Sequence, residues 1–129
     1  MKKTQLETLN LIAQVIYDKK GINILALDVR GLSSIADYIL IAEGNVDRHV
    51  TAIAKTIVDE LHERGINPVR VEGLQTGDWA VLDYAGIMVH LFMPGYRQKY
   101  SLEKLWSESK IVDLEIEVSK SILGQAHRN

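Results

Sequence analysis

Apolar residues recur along this chain with two periods, and the switches between them divide it into elements. Leu6, Leu9, Ile12, Ala13 and Ile16 fall on one face of a 3.6-residue repeat. Thr4 and Glu7 precede that stripe at capping-box spacing, which predicts a helix from about Thr4 to Asp18. Lys19 and Lys20 suit the negative end of its dipole, and Gly21 can end it. Asn23–Val29 and Tyr38–Ala42 are short apolar runs closed by glycines, the signature of buried strands. A polar turn, Arg30 to Asp37, joins them.

The longest stripe follows: Val46, Val50, Ile53, Ala54, Ile57, Val58 and Leu61. Asn45 is the expected N-cap of this helix, Gly65 sits at its C-cap, and Pro68 stops it. Strands are then predicted at Val69–Glu72, Trp79–Tyr84 and Ile87–Phe92, the last two joined by an Ala85-Gly86 hairpin turn. Alternation turns Ile87, Val89 and Leu91 one way and Met88, His90 and Phe92 the other. Gly73 and Gly77 bracket a loop, and a short helix is expected around Ser101–Trp106. Ile111, Leu114, Ile116, Val118, Ile122 and Leu123 follow less regularly, as a final helix or a frayed end. The order implies a single α/β (α+β) domain, with helices packed on a mixed, roughly five-stranded sheet.

Composition narrows the chemistry. At 129 residues, 47% of them hydrophobic, the chain is one domain able to bury its own core. It has no cysteine, which excludes disulfides, thiolate metal sites and cysteine nucleophiles. With 15 basic against 17 acidic residues, it lacks the basic footprint of a nucleic-acid binder. Polar residues interrupt the N-terminal stripe too often for a signal or membrane span. A soluble cytoplasmic domain is expected.

Candidate catalytic groups are sparse. His49, His62, His90 and His127 show no metal-ligand spacing. His49 and His62 read as helix-surface residues. His90 reads either as a hydrogen-bonded sheet histidine or as a contact on an exposed sheet face. Ser33 and Ser34 lack the G-x-S-x-G context of a nucleophile elbow, and Gly31 begins no phosphate loop. Asp28 and Asp37 flank the serine turn, where capping of turn amides is the nearer explanation than two-metal catalysis. Neither a cofactor nor a metal is expected.

One asymmetry stands out. From Val71 to Tyr96 the chain carries Glu72, Asp78 and Asp83 but no Lys or Arg, a local charge of −3. Trp79, Tyr84, His90, Phe92 and Met93 are interleaved with these acids. Such a mixture suits a basic, partly apolar protein partner. It equally describes core aromatics with solubilising acids between them.

These residues also carry a resemblance. Leu27-Asp28-Val29-Arg30-Gly31 and Ser33-Ser34-Ile35-Ala36-Asp37-Tyr38 resemble the opening block of the ribosomal silencing factor (Iojap) family. Similarity continues through Arg48-His49-Val50, Glu72-Gly73, Gly77-Asp78-Trp79 and Leu82 to Phe92, and closes with Arg97, Tyr100 to Glu103 and Leu105-Trp106. It spans about residues 4–114, with Ala85 where the family more often has glycine. The resemblance implies a domain over 1–114 with a nucleotidyltransferase-like topology lacking its active site; the tail over 115–129, expected to be helical or frayed, lies outside the resemblance. It implies no enzyme. It implies binding to the large ribosomal subunit through large-subunit ribosomal protein fourteen, with little direct RNA contact. The bound factor would block subunit joining and repress translation when nutrients are scarce. The expected contact patch is Trp79, Asp83, Tyr84, His90, Phe92 and Met93, with Arg97 and Tyr100 at its edge. Two other readings fit the residues: a nucleotidyltransferase-like enzyme using Asp28 and Asp37, and a homodimeric module whose patch pairs with itself.

Overall fold

Thr4 opens the first helix as its spacing predicts. In the computed structural model, which describes residues 4–96 and 108–118, the Thr4 hydroxyl accepts from the Glu7 N–H at 3.1 Å, and the Glu7 carboxylate accepts from the Thr4 N–H at 2.8 Å. Helix α1 (Gln5–Asp18) buries Leu9, Ile12, Ala13 and Ile16. Its end differs from expectation. Lys20, not Gly21, takes the left-handed conformation at φ 69°. The Lys20 N–H reaches the Tyr17 carbonyl at 2.9 Å, and the Gly21 N–H reaches the Ile16 carbonyl at 2.8 Å. Gly21 serves space instead, because a Cβ there would lie 2.4 Å from Ile16 Cγ2.

Strands β1 (Ile22–Asp28) and β2 (Ala36–Glu43) pair antiparallel across the serine turn. Helix α2 (Asp47–His62) then crosses over, followed by β3 (Arg70–Glu72), β4 (Trp79–Asp83) and β5 (Gly86–Phe92). β5 returns to lie parallel to β2, with Ile39 opposite Met88 and Ile41 opposite His90. The sheet is mixed, as expected, but has six strands in the order β3-β4-β5-β2-β1-β6. The unforeseen β6 (Lys110–Ile111) is two residues long, too short to leave a period. It pairs antiparallel with Leu27 and Asp28.

Helices α1 and α2 share one face of the sheet. There Leu9, Ile12, Ile16, Ile53, Ile57 and Leu61 meet Leu40, Ala80, Leu82, Ile87, Val89 and Leu91. The opposite face gathers Leu27, Val29, Ile39, Ile41, Met88 and Phe92. The alternation predicted for β5 is therefore the one observed.

Three further expectations change. Val46, not Asn45, occupies the N-cap of α2 and makes no side-chain cap bond. Asn45 instead donates its backbone N–H to His49 Nδ1 at 2.9 Å, while His49 Nε2 lies 2.7 Å from the Lys19 carbonyl. With Nδ1 accepting, Nε2 carries the proton and donates. His49 thus ties the end of α1 to the start of α2 rather than resting on the surface. Residues 112–118 form no helix; they run extended along α1. Glu115 N–H donates to Asn10 Oδ1 at 2.8 Å and Glu117 N–H to Gln14 Oε1 at 2.7 Å. Val112, Leu114 and Ile116 pack on the helix-side core. The short helix expected at Ser101–Trp106 and the tail beyond 118 lie outside the described residues.

The end of α1 gives a paired test. Lys20→Gly should stabilise the protein by about 1 kcal/mol, since a left-handed L-residue costs roughly that much. Gly21→Ala should destabilise it by ~1–3 kcal/mol through overpacking against Ile16. Urea unfolding of both variants reads the two signs.

Candidate functional site

On the face away from α1 and α2, three rings are locked together. Antiparallel register sets Trp79 opposite Phe92 and Val81 opposite His90. The Trp79 indole N–H donates to His90 Nδ1 at 3.0 Å. Trp79 stacks on Phe92 at 5.3 Å between centroids and 25° between planes, and His90 on Phe92 at 6.1 Å and 9°. An indole N–H can only donate, so His90 must keep Nδ1 unprotonated and carry its proton on Nε2. Burial alone pushes the imidazole down to about 4. A protonated His90 would aim a second N–H at the indole donor. The two sequence readings of His90 thus resolve toward a hydrogen-bonded sheet histidine that braces Trp79.

The expected patch divides when placed on the fold. Trp79, Asp83, His90 and Phe92 share the side opposite α1 and α2, where Phe92 is fully buried and supports the other rings. Tyr84 does not belong there. It follows Asp83 on the opposite pleat and sits in the helix-side core, 6% exposed. Burial raises its hydroxyl to about 12, and among the described residues that hydroxyl has no hydrogen-bond partner. Met93 likewise packs against the helix-side core, one residue past Phe92 and hence on the other pleat. Arg97 and Tyr100 lie outside the described residues.

The acids also divide. Asp78 Oδ1 accepts from the Thr76 hydroxyl at 2.6 Å and the Trp79 N–H at 2.9 Å, bracing the turn into β4. Asp83 Oδ1 accepts from the Ala85 N–H at 3.2 Å in the hairpin turn, where Ala85 (φ 50°) and Gly86 (φ 107°) take the left-handed backbone expected of a two-residue loop. Arg70, one residue before the cation-free stretch, reaches Glu72 at 3.3 Å and Asp83 at 4.0 Å. The charge of −3 is therefore partly met within the same sheet.

The serine turn holds itself together. Arg30 grips Asp28 with two side-chain bonds of 3.0 and 2.8 Å and its own backbone N–H, and lies 5.4 Å above the Tyr38 ring. The Arg30 hydrogen bonds hold the Asp28 carboxyl below its usual range. Ser33 Oγ accepts from the Ile35 and Ala36 N–H groups, and Asp37 accepts from Gln5 Nε2 at 2.8 Å. Asp28, Arg30, Gly31, Leu32, Glu108 and Lys110 border a cavity of about 540 Å³. Asp28 and Asp37, the carboxylates of the enzymatic alternative, are thus each held by a different structural partner.

Two variants test this geometry. Between pH 6.5 and about 4 the unfolded chain binds a proton at His90 that the folded protein refuses, so stability falls as pH drops through that window. His90→Gln, which keeps an acceptor for Trp79, should lose less stability than the parent from pH 7 to pH 4, the difference being roughly 2–3 kcal/mol in the unfolding free energy obtained from urea titrations. Tyr84→Phe should stabilise the protein by about 1 kcal/mol, because it removes a buried hydroxyl that has no partner among the described residues.

The family model described as "Ribosomal silencing factor during starvation" matches residues 2–129. The ribosomal silencing factor RsfS of Bacillus subtilis is 40% identical over 111 residues, covering 86% of this chain and 94% of that protein. A crystal structure from Bacillus halodurans superposes with a TM-score of 0.75 at 36% identity, over 84% of this chain and 98% of that one. One from Chromobacterium violaceum gives 0.78 at 30% identity, over 92% and 98%. With a family model matching residues 2–129 and a relative 40% identical over most of both chains, the chain belongs to the ribosomal silencing factor family.

Proposed function

We propose that this protein binds the large ribosomal subunit through large-subunit ribosomal protein fourteen and, by its bulk, keeps the small subunit from joining. Translation would then fall when nutrients are scarce, and the protein would act in the cytoplasm. The observation that carries the reading is the Trp79–His90–Phe92 stack on the same sheet face as Asp83 and Glu72, in a stretch without Lys or Arg from Val71 to Tyr96. An immobilised, half-buried tryptophan makes a good anchor, since little side-chain entropy remains to be lost on binding. Acidic flanks favour a basic protein over phosphate, so little direct RNA contact is expected. Blocking by bulk needs no bond to be made or broken, and the reading assigns no catalytic role to Asp28 or Asp37.

Subunit reassociation on a sucrose gradient is the direct test. Added protein should reduce joined ribosomes and travel with the large subunit. Trp79→Ala should weaken that association at least tenfold, about 1.4 kcal/mol, while Lys55→Ala on the solvent side of α2 should change it less than twofold. Circular dichroism melts confirm that both variants fold. Undiminished joining would overturn the mechanism, and full affinity of folded Trp79→Ala would overturn the placement. A protein that stays dimeric and never sediments with the large subunit would favour self-association through this face.

A further inference from the structure

The edge of the sheet at β3 and β4 carries an arrangement that neither the family relationship nor the aromatic stack accounts for. Register puts Arg70 opposite Asp83 and Glu72 opposite Val81, so Arg70, Glu72, Val81, Asp83 and Trp79 share the face opposite α1 and α2. The Arg70 guanidinium stands between two carboxylates, Nε 3.3 Å from Glu72 Oε2 and Nη2 4.0 Å from Asp83 Oδ2. Both contacts are long, and the Arg70 and Glu72 side chains are 57% and 59% exposed. Pairs of this kind contribute little and exchange readily. Asp83 differs: its side chain is 21% exposed, and its other oxygen is fixed by the Ala85 N–H. One oxygen of a preorganised carboxylate thus meets an easily displaced arginine of the same chain, on the sheet face that also carries the aromatic stack.

We propose that Glu72 and Asp83, on the sheet face that also carries Trp79, form a seat for a cationic side chain of the docked protein, and that Arg70 is the intramolecular stand-in which that side chain displaces. The occupant is an arginine or lysine on a basic protein surface, as the surrounding charge requires: no other Lys or Arg enters the chain until residue 97. An arginine fits best, because its planar fork can bridge two carboxylates that an ammonium would meet singly. Arg70 then lowers affinity, for every docking event must first remove it. It also screens the carboxylates in the free protein. This inference rests on the docking face proposed above and adds a residue whose removal should strengthen binding.

Binding of the intact protein to purified large ribosomal subunits, measured by co-sedimentation at two salt concentrations, separates the alternatives. Arg70→Gln should bind three- to tenfold tighter than the parent and with a steeper salt dependence, since two carboxylates become free to pair with the partner. Asp83→Asn should bind several-fold more weakly. In the double variant Arg70→Gln/Asp83→Asn most of the gain from Arg70→Gln should vanish, because both act on the same contact. Thermal melts of all three establish folding, and Glu72→Gln replaces Asp83→Asn if loss of the turn bond disturbs the hairpin. Weaker or unchanged binding by folded Arg70→Gln overturns the stand-in role, weaker binding showing instead that Arg70 itself faces an acidic group or RNA. The docking reading survives that result as long as Trp79→Ala still weakens binding. Failure of the parent protein to bind at all overturns both.

Discussion

The parallel pairing of β2 with β5 is the constraint on which the remaining structure depends. β2 is buried on both faces, so it can exist only at the centre of a sheet with neighbours on either side. A parallel neighbour cannot be reached by a tight turn, and the chain meets that requirement with α2. Once β5 lies against β2 with Ile41 opposite His90, both hairpins follow. β1 must fill the free side of β2, and β4 the free side of β5. The helix-side core and the aromatic stack are then two consequences of one register: Val89 and Leu91 turn toward α1 and α2, while His90 and Phe92 turn away. A slip of one residue would exchange them and bury the imidazole under the helices.

What could be read from sequence was what is local. The Thr4–Glu7 box, the stripes of both helices and the alternation of β5 depend on residues within a few positions of each other. Longer-range facts left no such trace. β6 is two residues held by a strand more than eighty positions earlier, and His49 bridges to a carbonyl thirty residues away. Arg70 meets Asp83 because of a register set across the loop between β3 and β4, which no local pattern fixes. Tyr84 and Met93 are different, for their placement was legible. The period-two rule that sorted β5 also sets Tyr84 opposite Trp79 along β4, and Met93 opposite Phe92. Their grouping into one patch came from nearness in sequence, and pleating undoes it.

The end of α1 shows how such constraints compete. A glycine and a lysine stand side by side where the chain must turn left-handed, and the glycine does not take the turn. Contact between β1's start and Ile16 leaves no room for a Cβ at Gly21, whereas Lys20 can bear its strained φ on the surface. Packing room outweighs a backbone preference of about 1 kcal/mol, because overlap at 2.4 Å would cost more. A C-cap rule applied to sequence alone assigns the turn to the glycine and misses the reason that a glycine is there.

The same balance of geometry and charge operates at Trp79. Its N–H needs an acceptor once the ring lies half-buried against Phe92, since an unmatched buried donor is costly. Asp or Glu would serve but would bring a charge into a desolvated stack. A neutral imidazole meets the need without one, and it stays neutral because burial disfavours the cation and the indole occupies Nδ1. That single bond therefore fixes two properties of the face. It holds the tryptophan flat, and it keeps positive charge out of the space between the rings. For a partner that is itself basic, a cationic histidine at the centre of the face would oppose docking as surely as a misplaced ring. On this reasoning His90 contributes to recognition chiefly through the orientation and electrical neutrality it gives to Trp79, and the carboxylates at the edge of the stack are left to set the sign of the field the partner meets.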